Sequence, residues 1–204
     1  MLRSDLRTRA RDELYETTAN IWSDDRLNRA FEDELRSLPS KGVYLQETHS
    51  YTLTADTLEM TLPTGTDEVE AVERNDGTAT VPDWNPIEGW NTFGLVLRFP
   101  AMMSSGDIIR VKIKKAFTVV SDDATAIDVP DDESELVVKG MVVRAYKILV
   151  GYLRSNMSWD SVTKPGDLSI PVIVAYLREA KQDYNELLKQ YAKPRMAKNI
   201  NLVS

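Results

Sequence analysis

The residues that could do chemistry are few. The 204-residue chain has one histidine and no cysteine. That composition excludes a thiolate nucleophile, a Cys-based zinc site, an iron–sulfur cluster, a disulfide framework and a multi-histidine metal centre. The one imidazole base, His49, lies in the strand-like stretch Glu47-Thr48-His49-Ser50-Tyr51. A Ser–His–acid triad needs a nucleophile seated on a special turn, and no such turn is marked, so His49 reads as a strand or surface residue. The carboxylate runs Asp24-Asp25, Asp122-Asp123 and Asp131-Asp132-Glu133 could hold a hard cation or act as acid and base. Two of them also fit helix first turns and one fits a linker. There is no G-x-G-x-x-G, Walker A, H-E-x-x-H, G-x-S-x-G or EF-hand loop. The expectation is a non-enzyme with no catalytic residue, no metal and no cofactor.

Binding chemistry offers more. Trp84 and Trp90 share the polar loop at 82–91. They read as plugs at the end of a β core, as an interface to another subunit or a tail component, or as a sugar-stacking pair. Arg110, Lys112, Lys114 and Lys115 make a basic strand face, better read as a solvated or inter-subunit face than as a phosphate site. Charge is unevenly placed on a chain of net −7. Residues 1–40 hold 7 basic and 9 acidic side chains, residues 41–131 hold 7 and 15, and residues 132–204 hold 11 and 8. A net-acidic chain should not coat DNA by counterion release. No acid follows Glu186, so Lys193, Arg195 and Lys198, with Met196, Ile200 and Leu202, form a basic arm carrying apolar residues. It reads either as a solvated terminus or as an arm for an acidic partner. No apolar run approaches the ~18–20 residues of a membrane span. The N-terminus lacks the apolar stretch of a secretory signal.

The elements that must position these residues follow from periodicity. Leu2, Leu6, Ala10 and Leu14 predict a helix over about 3–20, with Asp5, Arg9 and Glu13 pairing on its exposed side. A second helix, about 24–38, has Ser23 as N-cap and Asp24 and Asp25 in its first turn. Trp22 and Leu27 have staple spacing, Leu27, Ala30, Phe31, Leu35 and Leu38 form one stripe, and Pro39 stops it. From 43 to 120 the period is two, as in Leu58, Met60 and Leu62, or Ile109, Val111 and Ile113, and turn signals separate the runs. Five to seven antiparallel strands are predicted. Residues 121–131 read as an extended polar linker. Helical periods return at about 132–153 and 170–192, the first with Leu136, Met141, Ile148 and Tyr152 on a buried face, the second capped by Ser169.

The predicted fold class is α+β: a four-helix bundle with an antiparallel β-sandwich or barrel inserted between the second and third helices, and an extended C-terminal tail. The domain expectation is a bundle from 1–40 and 121–192, an inserted β domain at 41–120, and a basic arm at 193–204.

Several segments, taken in order, resemble the head-to-tail connector (adaptor) proteins of tailed bacteriophages. They are W-S-D-D-x-L-x-x-A-F-x-x-x-L-R-x-L-P at 22–39, V-x-x-V-E-R-N-D-G at 69–77, L-R-F-P at 97–100, G-D-x-x-R-V-x-I at 106–113 and I-D-V-P-D-D-x-x-x-L-V-V-K-G at 127–140. The resemblance runs over about residues 1–155, and only the order is specific. It implies a structural virion protein, made in the host cytoplasm and placed in the neck or tail. Twelve copies would ring below the portal protein, dock the tail or another neck protein, and pass genomic DNA without sequence-specific binding or a membrane. It also implies that the arm of Lys193, Arg195, Met196, Lys198, Ile200 and Leu202 binds the portal. The alternatives are a stopper or other tail-completion protein, and a carbohydrate-binding module using Trp84 and Trp90.

Overall fold

The computed structural model describes residues 1–16, 21–78, 80–123, 125–155 and 170–192. It holds four α-helices: α1 (Arg3–Glu13), α2 (Asp24–Ser37), α3 (Ser134–Ser155) and α4 (Ile170–Tyr191). Seven strands lie between α2 and α3: β1 (Leu45–Thr52), β2 (Thr57–Thr61), β3 (Thr66–Asn75), β4 (Trp84–Pro86), β5 (Asn91–Phe93), β6 (Val96–Met103) and β7 (Ile108–Lys115). The chain divides into two compact units, one of residues 1–43 with 117–204 and one of residues 44–116.

The helical unit is not a four-helix bundle. α3 is its hub, with α1, α2 and α4 each packed along it. A four-helix bundle shares one core among four near-parallel helices, whereas here α1 (11 residues), α2 (14) and α4 (22) each pack chiefly on α3. Leu6, Leu27, Phe31, Leu35, Leu136, Met141 and Ile173 are essentially sealed from solvent. The predicted buried face of α3 is too broad, because Ile148 and Tyr152 are exposed.

The α2 signals work as chemistry dictates. The Ser23 hydroxyl accepts from the Arg26 N–H at 3.4 Å, and Trp22 and Leu27 are both buried. After α2 a short 3-10 turn, Pro39–Lys41, leads to Gly42 at φ +83°.

α1 ends seven residues before the predicted boundary. Tyr15 stands at φ +54°. Its N–H donates to the Asp12 carbonyl at 3.1 Å, and the Glu16 N–H donates to the Arg11 carbonyl at 2.9 Å. That is a Schellman stop built on tyrosine instead of glycine. The exposed-side pairs predicted for α1 are also replaced, since Arg9 donates to the Ser134 hydroxyl at 2.8 Å.

Residues 121–131 are not a free linker. Within it Ile127 and Val129 are buried, and Leu2 bridges to Ala126 as in a β-ladder. Asp123 receives Arg3 at 2.8 Å and Arg7 at 3.0 Å. Arg3, Arg7 and Arg11 recur every four residues, so they share one face of α1. Arg11 reaches Asp24 at 2.6 Å, which ties the ladder to α2.

The β unit has two open antiparallel sheets, ordered β1-β7-β3-β4 and β2-β6-β5. No barrel closes. Val72, Ile109, Val111 and Ile113 from the first sheet and Leu97, Phe99 and Met103 from the second belong to one apolar core. Leu58 is exposed although its alternation with Met60 and Leu62 predicts burial; the register of β2 on β6 shifts between Thr57 and Glu59, and the bulge turns Leu58 outward.

Candidate functional site

Of the chemistry-bearing residues, His49, Asp24, Asp122 and Asp123 are engaged in structural contacts. His49 lies on β1, where its Nε2 meets Glu47 at 2.9 Å and its ring stacks on Tyr51 at 6.3 Å between centroids. Asp24 and Asp123 are held by the α1 arginines, and Asp122 accepts from the Thr125 N–H at 2.7 Å. Among the described residues, no group of three or more His, Asp or Glu is arranged to hold a metal ion. No described helix is long and apolar enough to cross a membrane.

The basic strand face is neutralised by the sheet itself. On β7, Arg110 meets Glu73 at 2.5 Å and Lys112 meets the same carboxylate at 3.1 Å. Lys114 is buried between Glu68 at 3.4 Å and Glu70 at 3.1 Å. Lys115 meets Glu47 at 2.5 Å. Burial pushes the Glu73 carboxyl up, but its hydrogen bonds to Arg110 and Lys112 outweigh that and hold it below the usual range. The Lys115 hydrogen bond does the same for Glu47 against burial, with His49 assisting. Burial lowers Lys114, and Glu70 and Glu68 more than reverse it. No cation of this strand is left over for a phosphate backbone.

The two loop tryptophans sit in different surroundings. Trp84 is part of β4 at the edge of the four-stranded sheet, and the Arg110 guanidinium lies over its ring at 4.0 Å. Trp90 precedes β5 and packs, half-buried, against the apolar core. No ring contact joins the two among the described residues. The arm residues Lys193, Arg195, Met196, Lys198, Ile200 and Leu202 lie outside the described residues, as does the cap Ser169.

Two features escaped sequence reasoning. The first is the outer face of the small sheet. β5 and β6 are joined by the two-residue turn Gly94-Leu95, with Gly94 at φ +59°. Phe93 at the base of that turn is 89% exposed, and Met102 on β6 is also exposed. Phe93 lines a concavity of about 440 Å³ together with Glu59, Asn91, Thr92, Val96 and Arg98. Arg98 and Glu59 are paired there at 2.6 Å. The N-T-F-G-L run was the available signal, since it places a large apolar residue next to a turn glycine.

The second is Glu34, a buried carboxylate in the helical unit. It receives Lys41 at 2.8 Å, Arg144 at 2.8 Å and the Tyr184 hydroxyl at 2.5 Å. It thereby joins α2, α3, α4 and the 3-10 turn. Gly140 makes room for it, because a Cβ there would lie 2.4 Å from the Glu34 carboxyl carbon. Glu34 falls seven residues after Leu27 and four after Ala30, inside the apolar stripe, and that misplaced acid was the signal.

No family model and no curated protein matches this sequence. A solved structure described as the neck of an empty GTA particle computed with C6 symmetry aligns with 85% of this chain and 87% of that one. The identity is 13% and the TM-score 0.32, a likeness too slight to establish a shared fold or role.

Proposed function

We propose that this chain is a structural virion protein of the tailed-phage neck: a head-to-tail adaptor that forms a dodecameric ring below the portal, continues the DNA channel and docks the tail. The observation that carries the reading is the ordered run of connector-like segments over about residues 1–155. Those segments fall on definite elements here, 22–39 on α2 and its ends, 106–113 on the turn into β7, and 127–140 on the entry to α3. The acidic excess of residues 41–131, 15 acids to 7 bases, fits this role, because an acidic wall would repel phosphates and let DNA pass without sticking. The arm at 193–204 would dock on the portal, its cations orienting it and its apolar residues supplying burial. Trp84 and Trp90 would face a neighbouring subunit or a tail component.

Electron microscopy of the purified protein mixed with the portal encoded in the same genome tests this. The expected result is a twelve-fold ring seated on the portal. Failure to bind the portal, with binding to glycans or to a tail tube instead, would replace the reading with the carbohydrate-binding or stopper alternative. Deleting residues 194–204 should leave the melting temperature nearly unchanged and abolish attachment to filled heads. Normal assembly of the truncated protein would move the portal contact onto the helices.

A further inference from the structure

A sheet edge is a row of unpaired N–H and C=O groups, and proteins guard it with short strands, prolines, bulges or charges. Three of the four edges here carry such guards. β4 and β5 have three residues each, β4 contains Pro86, and β2 is bulged. β1 differs. It runs eight residues in unbroken register with β7 and has no proline and no lysine. Among the described strands it pairs with β7 alone, so its other edge has no strand partner among the described residues. Its single guard is an inward charge, Glu47, and that charge already has Lys115 and His49 as partners.

The β1 sequence is complementary to itself. Directly opposed residues in an antiparallel pair share a face of the sheet. Two copies of β1 meeting edge to edge around a two-fold axis keep their faces aligned when the axis passes through Thr48. That register sets Glu47 opposite His49 of the second copy, Leu45 opposite Tyr51, Gln46 opposite Ser50, and Thr48 opposite itself. Acid meets imidazole, apolar meets aromatic and amide meets hydroxyl. The side chains agree with this on their own strand. Glu47, His49 and Tyr51 are half-buried on one face, and Gln46, Thr48, Ser50 and Thr52 are exposed on the other.

We propose that two copies of this chain pair through their β1 edges, antiparallel and centred on Thr48, to form a continuous eight-stranded sheet in the free protein. The pairing satisfies the open edge that would otherwise recruit misfolded chains. It is isologous and separate from the rotational contact a ring requires. The two can therefore fail independently.

The absence of cysteine allows a clean test. In separate variants, Gln46→Cys, Thr48→Cys, Ser50→Cys and Thr52→Cys are introduced and the protein is exposed to mild oxidant or a short thiol crosslinker. Thr48→Cys should give the covalent dimer. Ser50→Cys and Gln46→Cys should give little, since each lies about 13 Å along the strand from its own copy. Thr52→Cys should give none. Analytical ultracentrifugation of the uncut wild-type chain should show a concentration-dependent dimer. Glu47→Lys should weaken it about tenfold by removing two cross-strand pairs, and the swap Glu47→Lys with His49→Glu should restore it. A monomer at all concentrations, or a crosslinking maximum away from position 48, overturns the proposal.

Discussion

At the scale of single residues, Glu34 carries the largest consequence. A buried acid with three charged or hydroxyl partners is costly to break, because each partner is then left without its counter-group. Glu34→Ala should destabilise the helical unit by roughly 3 kcal/mol in urea melts. Gly140→Ala should cost about 1–3 kcal/mol by forcing a methyl group into the carboxylate. Tyr184 adds a pH signature. Burial, and then the nearby Glu34 carboxylate, raise its hydroxyl well above the ordinary tyrosine value of 10.0. The folded state therefore keeps a proton that the unfolded state releases. Stability should be intact below pH 10 and fall as the pH rises beyond it. Thermal melts of Tyr184→Phe should show a weaker alkaline decline, and an unchanged profile would assign the decline to other groups. Glu73 works in the opposite sense. Its carboxyl is held below the usual range, so its contribution is complete above the unfolded carboxylate value and is lost on acidification. Glu73→Gln should blunt the acid sensitivity of the β unit.

At the scale of elements, the hydrophobic staple at the start of α2 offers a direct check. Trp22 is buried and meets Tyr146 of α3 edge-on at 6.4 Å between centroids. Trp22→Ala should lower stability by roughly 3 kcal/mol, and an unchanged melt would show that the staple contributes nothing. α2 was legible in the sequence because every device that makes it is local: Ser23, the two aspartates, the stripe and Pro39. β7 was legible for the same reason, since Ile109, Val111 and Ile113 alternate with charge without interruption. The end of α1 was not, because its stop uses a left-handed tyrosine where glycine is the usual sign. The anchoring of 121–131 was not either. It depends on Arg3 and Arg7, more than a hundred residues away, and a polar sequence gives no hint that its acids are spoken for. The bundle expectation failed at the same level, since four amphipathic stripes do not reveal which helix the others share. For the candidate surfaces, Trp84 and Trp90 were visible as residue types. That one would meet Arg110 and the other the core depended on a strand pairing the sequence does not display.

At the scale of the whole molecule, charge is partitioned by pairing more than by composition. The β unit holds most of the chain's acidic excess, 11 acids to 6 bases in residues 44–116, and the four cations of β7 are consumed inside it. Raising salt should therefore change DNA contact at the β unit little, because β7 offers no unpaired cationic strip to screen. A mobility-shift assay at low salt should show no retention of duplex DNA. Strong retention would mean that cations outside β7 dominate.

The insertion of residues 44–116 into the helical unit has a consequence for the order of events on the ribosome. The β unit is continuous in sequence and can close as soon as β7 has emerged. α1 and α2 are made first, yet the helix they pack on begins at Ser134. At roughly 5–20 residues per second, Phe31 and Leu35 must wait about 5–20 s for α3. During that interval α1 and α2 wait while the β unit made after them closes, and their exposed stripe is what a nascent-chain chaperone would hold.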